Sequence, residues 1–519
     1  MNSSAIIRVI ILVVACFLAV YMGSLLATSK GEAFFWVSAT ALFVLCCWLG
    51  RDIWLLIPLT TNVTLLFPWL PGGFPPSKLA ILLVFAWSLL LIAMRRLPLS
   101  FKFTHIEAVA LLLLASILQA YIRNPVGLRA FGTESVGAKP YLLIVFSTVG
   151  FVILTTLKVA PDRIRKAMWV TLAGALASTF VNTLAYFSSA VAAITGPTLG
   201  AFGKGEAFRQ TRADLEVVDP TRATRIGFAI EVSNVLSRWI TAKLNPLRCL
   251  LNPFWGILLI TAVAAAALSG YRNALIATGL TLICGAYYWG RFVSVVIAGF
   301  LGLIAYLLLV MVNPVMPLPP NIQRSMTVLP GPWEDQYKED AKASTKWRTD
   351  MWKLALTTDR YIQNKFLGDG LGMTQKEYRF VASLADYKAI SDEMTQERAM
   401  ATQAYHSGPV QTIRVTGYLG LIVLLYAMIV VAVRAHRLIL RSRHTEWFGV
   451  VLFLTLHMVW HPFFFTFVFG AYSEDVPSLL INMGLLRLIE KNLPLENLAP
   501  VPPPAQTPAL ARGVRARLA

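Results

Sequence analysis

The sequence predicts an all-α, polytopic membrane protein: a bundle of about 14 transmembrane helices, range about 12 to 14, with one long extracytoplasmic loop carrying amphipathic helices. Three observations predict it. Of 519 residues, 56% are hydrophobic and 14% charged, against roughly half and a quarter in soluble globular chains. Apolar runs of about 20 residues recur along most of the chain, and each can cross roughly 30 Å of hydrocarbon as a helix. Polar residues instead crowd into one stretch, 313–409.

Taken in order, the apolar runs fall near residues 5–27, 33–49, 53–70, 78–94, 105–121, 141–157, 167–190, 225–242, 253–269, 274–290, 293–312, 410–433, 446–468 and 477–489. The first is expected to be a span and not a secretory signal, because no small-residue cleavage site precedes a soluble region. The third, eighth and fourteenth are the weakest, being short, Pro-interrupted or polar. The result is a division into membrane helices over 1–312, an extracytoplasmic loop over 313–409 where chemistry is to be sought first, C-terminal membrane helices over 410–490, and a Pro- and Arg-rich cytoplasmic tail over 491–519 predicted to be disordered. No internal repeat is visible.

Charge sets the expected orientation. The formal charge is +19, but the basic residues are scattered over short loops and not gathered on one face, so no nucleic-acid partner is implied. Three clusters stand out: Arg95 and Arg96 with Lys102; Lys158, Arg163, Arg165 and Lys166; and Arg434, Arg437, Arg441 and Arg443. Basic loops stay cytoplasmic, which puts the N-terminus inside and the 313–409 loop outside. The five cysteines, Cys16, Cys46, Cys47, Cys249 and Cys284, lie in or beside apolar runs, with neither a disulfide framework nor zinc spacing.

Within the loop, Trp347, Met351, Leu354 and Tyr361 recur at helical spacing behind Ser344 and Thr345, which are good capping types. An amphipathic helix over the bundle is expected there. Gly368, Gly370 and Gly372 alternate just after it, as in a tight turn; a dinucleotide fingerprint would need a flanking strand.

Charged and polar residues close to a bilayer are costly, so each is a candidate for function. Arg272 opens a helix at the outer face, where its fork could clamp a diphosphate or simply snorkel to headgroups. Arg348, on the amphipathic helix one turn before Trp352, could neutralise charge on a leaving group or stack on the ring. Arg414 is a third cation candidate or an interfacial anchor. His406, at the junction of loop and membrane, could take a proton from a hydroxyl at neutral pH. His457 and His461 stand one turn apart, yet no nearby acid or thiol completes a metal site, so packing or hydrogen bonding is expected of them. Glu231 and Arg238, two turns apart, suggest an internal ion pair or a re-entrant segment. Asp350 and Asp359 show no sign of a catalytic part.

These residues resemble the O-antigen ligase and O-antigen polymerase superfamily, membrane enzymes that end or extend lipid-linked bacterial glycans. The most telling motif is a His, a small polar residue, nine residues, Gly, two residues and Gly, which stands here as His406, Ser407, Gly417 and Gly420. Ser269 to Ile276 resembles a second element through Arg272 and Ile276, with Tyr271 inserted before the arginine and isoleucine in place of leucine. Arg348, Trp352 and the Gly368–Gly372 turn resemble a third, and Arg225 to Asn234 a fourth.

The resemblance implies a GT-C-like helical fold in a bacterial inner membrane, with its active site facing the periplasm and no cofactor or metal. It implies an undecaprenyl-diphosphate-linked glycan as donor, and an acceptor glycan or lipid A core at a sugar hydroxyl, among membrane lipids. Arg272, Arg348 and His406 would be catalytic, with inversion at the anomeric carbon, and Arg225, Arg414, Trp352 and Ser407 would bind substrate. The number of spans and the long loop favour a polymerase of O-antigen or exopolysaccharide over a ligase. A polysaccharide flippase is the rival from another class, but it would show repeat-related halves and charges near the midplane. Here polar residues crowd at one face and one loop.

Overall fold

The computed structural model describes residues 40, 42–63, 75–126, 138–188, 191, 225–372 and 392–493. The expected first span, most of the second, Cys16, and the tail beyond residue 493 lie outside them. The helices are α1 (Leu42–Thr60), α2 (Pro76–Ala93), α3 (His105–Arg123), α4 (Lys139–Thr156), α5 (Pro161–Phe187), α6 (Gly227–Lys243), α7 (Pro253–Leu268), α8 (Arg272–Val312), α9 (Pro320–Met326), α10 (Asp335–Thr357), α11 (Asp392–Ala401), α12 (Gly408–Ser442), α13 (Phe448–Phe467) and α14 (Tyr472–Asn492). Among the described residues there is no strand, only one isolated bridge between Leu99 and Leu157. The all-α expectation holds.

Eight of these helices are long and apolar enough to cross a membrane: α1 to α5, α8, α12 and α13. The difference from about 14 predicted spans has physical sources. The runs at 274–290 and 293–312 are counted together as α8, but non-helical Arg291 at φ 58° and ψ −153° divides it into two helices across a kink, one for each expected run. Helices α6 and α7 have 17 and 16 residues, and α14 carries Glu474, Asp475 and Lys491.

The chain divides into two compact units, Met1–Trp54 with Ala86–Leu97, and Leu55–Phe85 with Pro98–Ala519. In the first, Phe43 and Trp87 meet edge to face at 6.2 Å. The second holds everything described below. In it α4 and α14 pack closely because each presents a glycine to the other helix: a Cβ on Gly150 would come within 2.6 Å of Ile481, and one on Gly484 within 3.1 Å of the Phe151 backbone. Small residues permit this approach where no hydrophobic effect drives helices together.

One end of this unit gathers the basic loops. Lys158 N–H donates to Pro98 O at 3.3 Å, Asn492 to Leu157 O at 3.3 Å, Arg165 pairs with Glu446 at 2.6 Å, Arg434 with Glu490 at 3.1 Å, and Arg443 donates to Trp289 O at 2.8 Å. Lys102 joins them through its carbonyl, which accepts from Arg487 at 3.4 Å. The basic loops separated in sequence therefore share an end, as a positive-inside arrangement requires.

The loop helix needs one correction. Helix α10 starts at Asp335, with Glu334 as N-cap, and ends at Thr357, so Ser344 and Thr345 are interior and do not cap it. Thr345 Oγ1 instead donates to Ala341 O at 2.8 Å. The run from Asp335 to Ala343 is rich in good helix formers, and Asp335 favours the first turn electrostatically. Tyr361 lies beyond the helix but packs on the same cluster as Met351, Ala355, Tyr405 and Ile413.

Candidate active site

The site is built on the turn between α7 and α8, at the end of the bundle away from the basic loops. Ser269 Oγ donates to Ala266 O at 2.7 Å and accepts from Tyr271 N at 3.2 Å. Gly270, at φ 73°, lets the chain reverse where an L side chain is disfavoured. Two further segments dock on this turn. Ile226 N–H donates to Ser269 O at 3.0 Å, and Ser325 Oγ donates to Ala267 O at 2.8 Å. Each docked residue has an arginine immediately before it, Arg225 and Arg324, and Arg272 opens α8 beside them. Arg225 lies 5.4 Å over the Tyr271 ring.

Arg324 reaches Asp340 on α10 at 3.0 Å. Further along α10, Arg348 is half-buried, and burial first, then the charges of Arg272 and Arg225, push its pKa down. Burial likewise lowers Arg324, joined by Arg225, opposed by Asp340, and reinforced by Arg272. Four guanidiniums therefore share one field with one carboxylate at its edge. A guanidinium stays charged at neutral pH despite such shifts, so the surplus positive charge suits an anion with several oxygens.

His406 faces the same field. Trp352 Nε1 donates to Tyr405 O at 2.7 Å, tying the segment before the histidine to α10. Gln411 Nε2 donates to Gln403 O at 2.9 Å, and Ser407 Oγ accepts from Val410 N at 3.5 Å as cap of α12. Between these anchors His406 adopts φ 51°, an uncommon conformation that surrounding contacts must impose. Its ring is solvent-exposed, 6.1 Å from Trp347 and 6.3 Å from Phe469. Desolvation by the surrounding chain, then the charges of Arg348 and Arg225, hold the imidazole below its ordinary pKa. It is neutral at pH 7 and able to accept a proton.

The two glycine motifs meet in space. At Gly417, φ 73°, α12 departs from helical geometry, and the segment 365–370 enters its hydrogen-bond ladder. Tyr418 N and Leu419 N donate to Lys365 O and Phe366 O at 2.8 and 3.3 Å, while Arg414 O and Val415 O accept from Asp369 N and Gly370 N at 2.8 and 2.9 Å. These four backbone groups beside the kink are thus satisfied, as apolar surroundings demand. Gly368, Gly370 and Gly372 have φ 77°, 85° and 83°, the tight turn expected. Arg123 donates to Leu367 O at 3.0 Å, and Leu371 N to Tyr141 Oη at 2.7 Å, fastening the turn to α3 and α4.

A Cβ on Gly417 would overlap Phe366 O, with backbone fixed on both sides. Gly417→Ala is therefore expected to destabilise by about 4 kcal/mol or more, in the class of strained special-φ substitutions. Gly279→Ala, where a Cβ meets nothing within 4 Å, should leave the thermal midpoint within a few degrees of wild type. Thermal unfolding of the detergent-solubilised variants checks the pair.

Of the residues expected in the site, the structure brings Arg225, Arg272, Arg348 and His406 together, with Trp352 and Ser407 holding the backbone around the histidine. Arg414 stands apart. It is 7% exposed, lies 3.6 Å from Asp369 and donates to Gly370 O at 3.3 Å, so it secures the glycine turn. Arg324 and Asp340 were not singled out from the sequence. The available signal was a basic residue on a short helix after Pro319 and Pro320, inside the only long polar loop. His457 and His461 hydrogen-bond to Asn482 and Asp475 at 3.2 and 3.0 Å. Glu231 accepts from Asn182 at 2.7 Å. Among the described residues no group of three His, Cys, Asp or Glu could hold a metal.

Fold and site together define a polytopic helical membrane protein with a strongly cationic centre, beside a neutral histidine, at one end of its bundle. Residues 257–425, about a third of the chain, match the family model of the O-antigen ligases. The match includes Arg272, Arg324, Arg348, His406, Gly417 and Gly420 and leaves Arg225 outside. A comparison with curated proteins found no match.

Proposed function

We propose that the protein is an inner-membrane glycosyltransferase that moves glycan from a polyprenyl-diphosphate carrier, such as undecaprenyl diphosphate, to a sugar hydroxyl on the periplasmic side. The observation that carries this reading is the convergence of Arg225, Arg272, Arg324 and Arg348 beside a histidine held neutral. Members of the matched family are glycosyltransferase-like enzymes, which agrees with it.

In the proposed reaction the arginines clamp the donor's diphosphate, Arg272 and Arg348 nearest the bond that breaks. His406 accepts the acceptor's hydroxyl proton as the oxygen attacks the anomeric carbon from the face opposite the leaving group. The new C–O bond forms with inversion while the old one breaks, its electron pair leaving on the diphosphate, where the guanidiniums neutralise the growing charge. Trp352 and Ser407 fix the histidine's position, and substrate contacts through them follow from that placement.

Because arginines supply the charge that a divalent ion would otherwise provide, turnover should survive chelation. Chelator is expected to leave the rate of a purified, reconstituted preparation within about twofold, since no metal-dependent step is invoked. Rate loss reversed by one added metal would contradict the scheme.

We read the acceptor as a growing repeat-unit chain, making the protein a polymerase, because the long loop and its three helices exceed what a minimal ligase needs. The description of the matched family favours the second reading, transfer to lipid A core. Reconstitution with lipid-linked repeat units, with and without lipid A core, followed by a product-size gel, decides between them. A ladder without core supports polymerase, and a single core-dependent shift supports ligase.

A further inference from the structure

Away from the arginine centre, a cavity of about 140 Å³ lies inside the second unit, among α5, α6, α13, α14 and the end of α1. Its lining includes Arg238, Asn62 and Ser478, with apolar walls such as Leu154 and Phe453. Among the described residues the side chains of Arg238, Asn62 and Ser478 have no hydrogen-bond or ion-pair partner. Arg238 is eleven residues into α6 from Gly227, roughly 16 Å along the helix from the end that carries Arg225.

An unpaired guanidinium at such depth is costly unless something compensates it. Part of the compensation is local, because α1 ends beside the cavity at Thr60, with Thr61 as C-cap, and a helix C-terminus carries about half a negative charge. That leaves the cation under-compensated. The cavity has room for more than one water, each taking about 30 Å³ of liquid volume. Arg238, with its planar fork, Asn62 and Ser478 line this space together with His457 and Asn482, and no side chain of opposite charge lines it.

We propose that this cavity is a second anion site, distinct from the donor centre, that takes a phosphate-type oxyanion. The guanidinium gives two parallel hydrogen bonds to two oxygens, and the Asn62 amide and Ser478 hydroxyl take the others. The phosphate is either free inorganic phosphate or the phosphate of a membrane lipid, and the chemistry of the site is the same for both.

The test uses the full chain purified in phosphate-free nonionic detergent, with inorganic phosphate in one arm and phosphatidic acid in mixed micelles in the other, phosphatidylcholine being the control. At saturating probe the wild-type unfolding midpoint should rise by several degrees, as mass action requires of a ligand bound only to the folded state. Response to inorganic phosphate identifies a free-ion site, and response to phosphatidic acid alone identifies a lipid site. Arg238→Gln should remove the cavity's contribution to the shift, leaving at most what the donor centre adds, and the double variant Asn62→Ala with Ser478→Ala should weaken binding at the cavity about tenfold, reporting on the same site should Arg238→Gln fail to fold. Arg272→Gln should retain the shift. Absence of any wild-type shift would show a cavity that holds water only. A shift that survives both sets of cavity variants and disappears in Arg272→Gln would assign the phosphate to the donor centre. Either result overturns the proposal.

Discussion

His406→Ala should leave donor binding largely intact and lower turnover by roughly 10²- to 10⁴-fold, the usual contribution of a positioned acid or base. The expectation follows from geometry: the ring is exposed beside Arg348 and Arg225, while its backbone is held by Ser407 and, through Tyr405, by Trp352. Removing the ring takes away the proton acceptor without removing a cation from the donor. The pH profile supplies a second readout. A base works in its neutral form, and desolvation, Arg348 and Arg225 all lower its pKa, so the acid limb of kcat/KM should lie at lower pH than an ordinary histidine would give. Arg348→Gln removes one of those causes, and its acid limb should move up toward the ordinary histidine value. Steady-state rates from pH 5 to 8, with donor affinity measured separately, check both. A near wild-type rate in His406→Ala would make the histidine structural.

The second large effect concerns the arginines. Arg272→Lys and Arg348→Lys keep the charge but lose the planar fork. Hydrogen bonds to charged groups contribute about 1.5–3 kcal/mol each, so donor affinity or rate should fall roughly ten- to hundredfold in either variant. The variants should be distinguishable from His406→Ala, because cation loss affects donor binding and base loss does not. Arg414→Lys serves as the contrast. Its partners Asp369 and Gly370 belong to the glycine turn, so it should lower the unfolding midpoint more than it lowers affinity for donor in the protein that remains folded. Equilibrium binding of a fluorescent polyprenyl-diphosphate glycan, beside thermal unfolding of each variant, separates these outcomes.

Much of the helical framework was legible because hydropathy reports directly on which segments enter the bilayer. The spans expected at 105–121, 141–157 and 446–468 correspond to α3, α4 and α13, and the basic clusters of the second unit converge on one end. The spacing from His406 through Gly417 to Gly420 was visible too, but its physical sense was not. Gly417 is a glycine because segment 365–370, about fifty residues earlier, enters the helix there, and no local pattern encodes that approach. Arg324 went unnoticed for a related reason, since only the docking of Ser325 on Ala267 carries it to the centre. The pairing of Arg414 with Asp369 was not legible either, because sequence position shows that a cation is near a membrane but not which carboxylate meets it. The start of α10 was misplaced because Ser344 and Thr345 are capping types in an already helical run.

The central claim is that the arginine centre and His406 break the bond between glycan and carrier diphosphate. Its most direct measurement is a single-turnover reaction in proteoliposomes with a polyprenyl-diphosphate glycan labelled in both sugar and lipid, and with either acceptor supplied. The claim predicts one polyprenyl diphosphate released for each glycan joined to acceptor, with both products lost together in Arg272→Lys and in His406→Ala. Labelled donor that crosses the bilayer with its sugar–diphosphate bond intact, and with no joined product, would contradict it and make the protein a carrier of lipid-linked glycan.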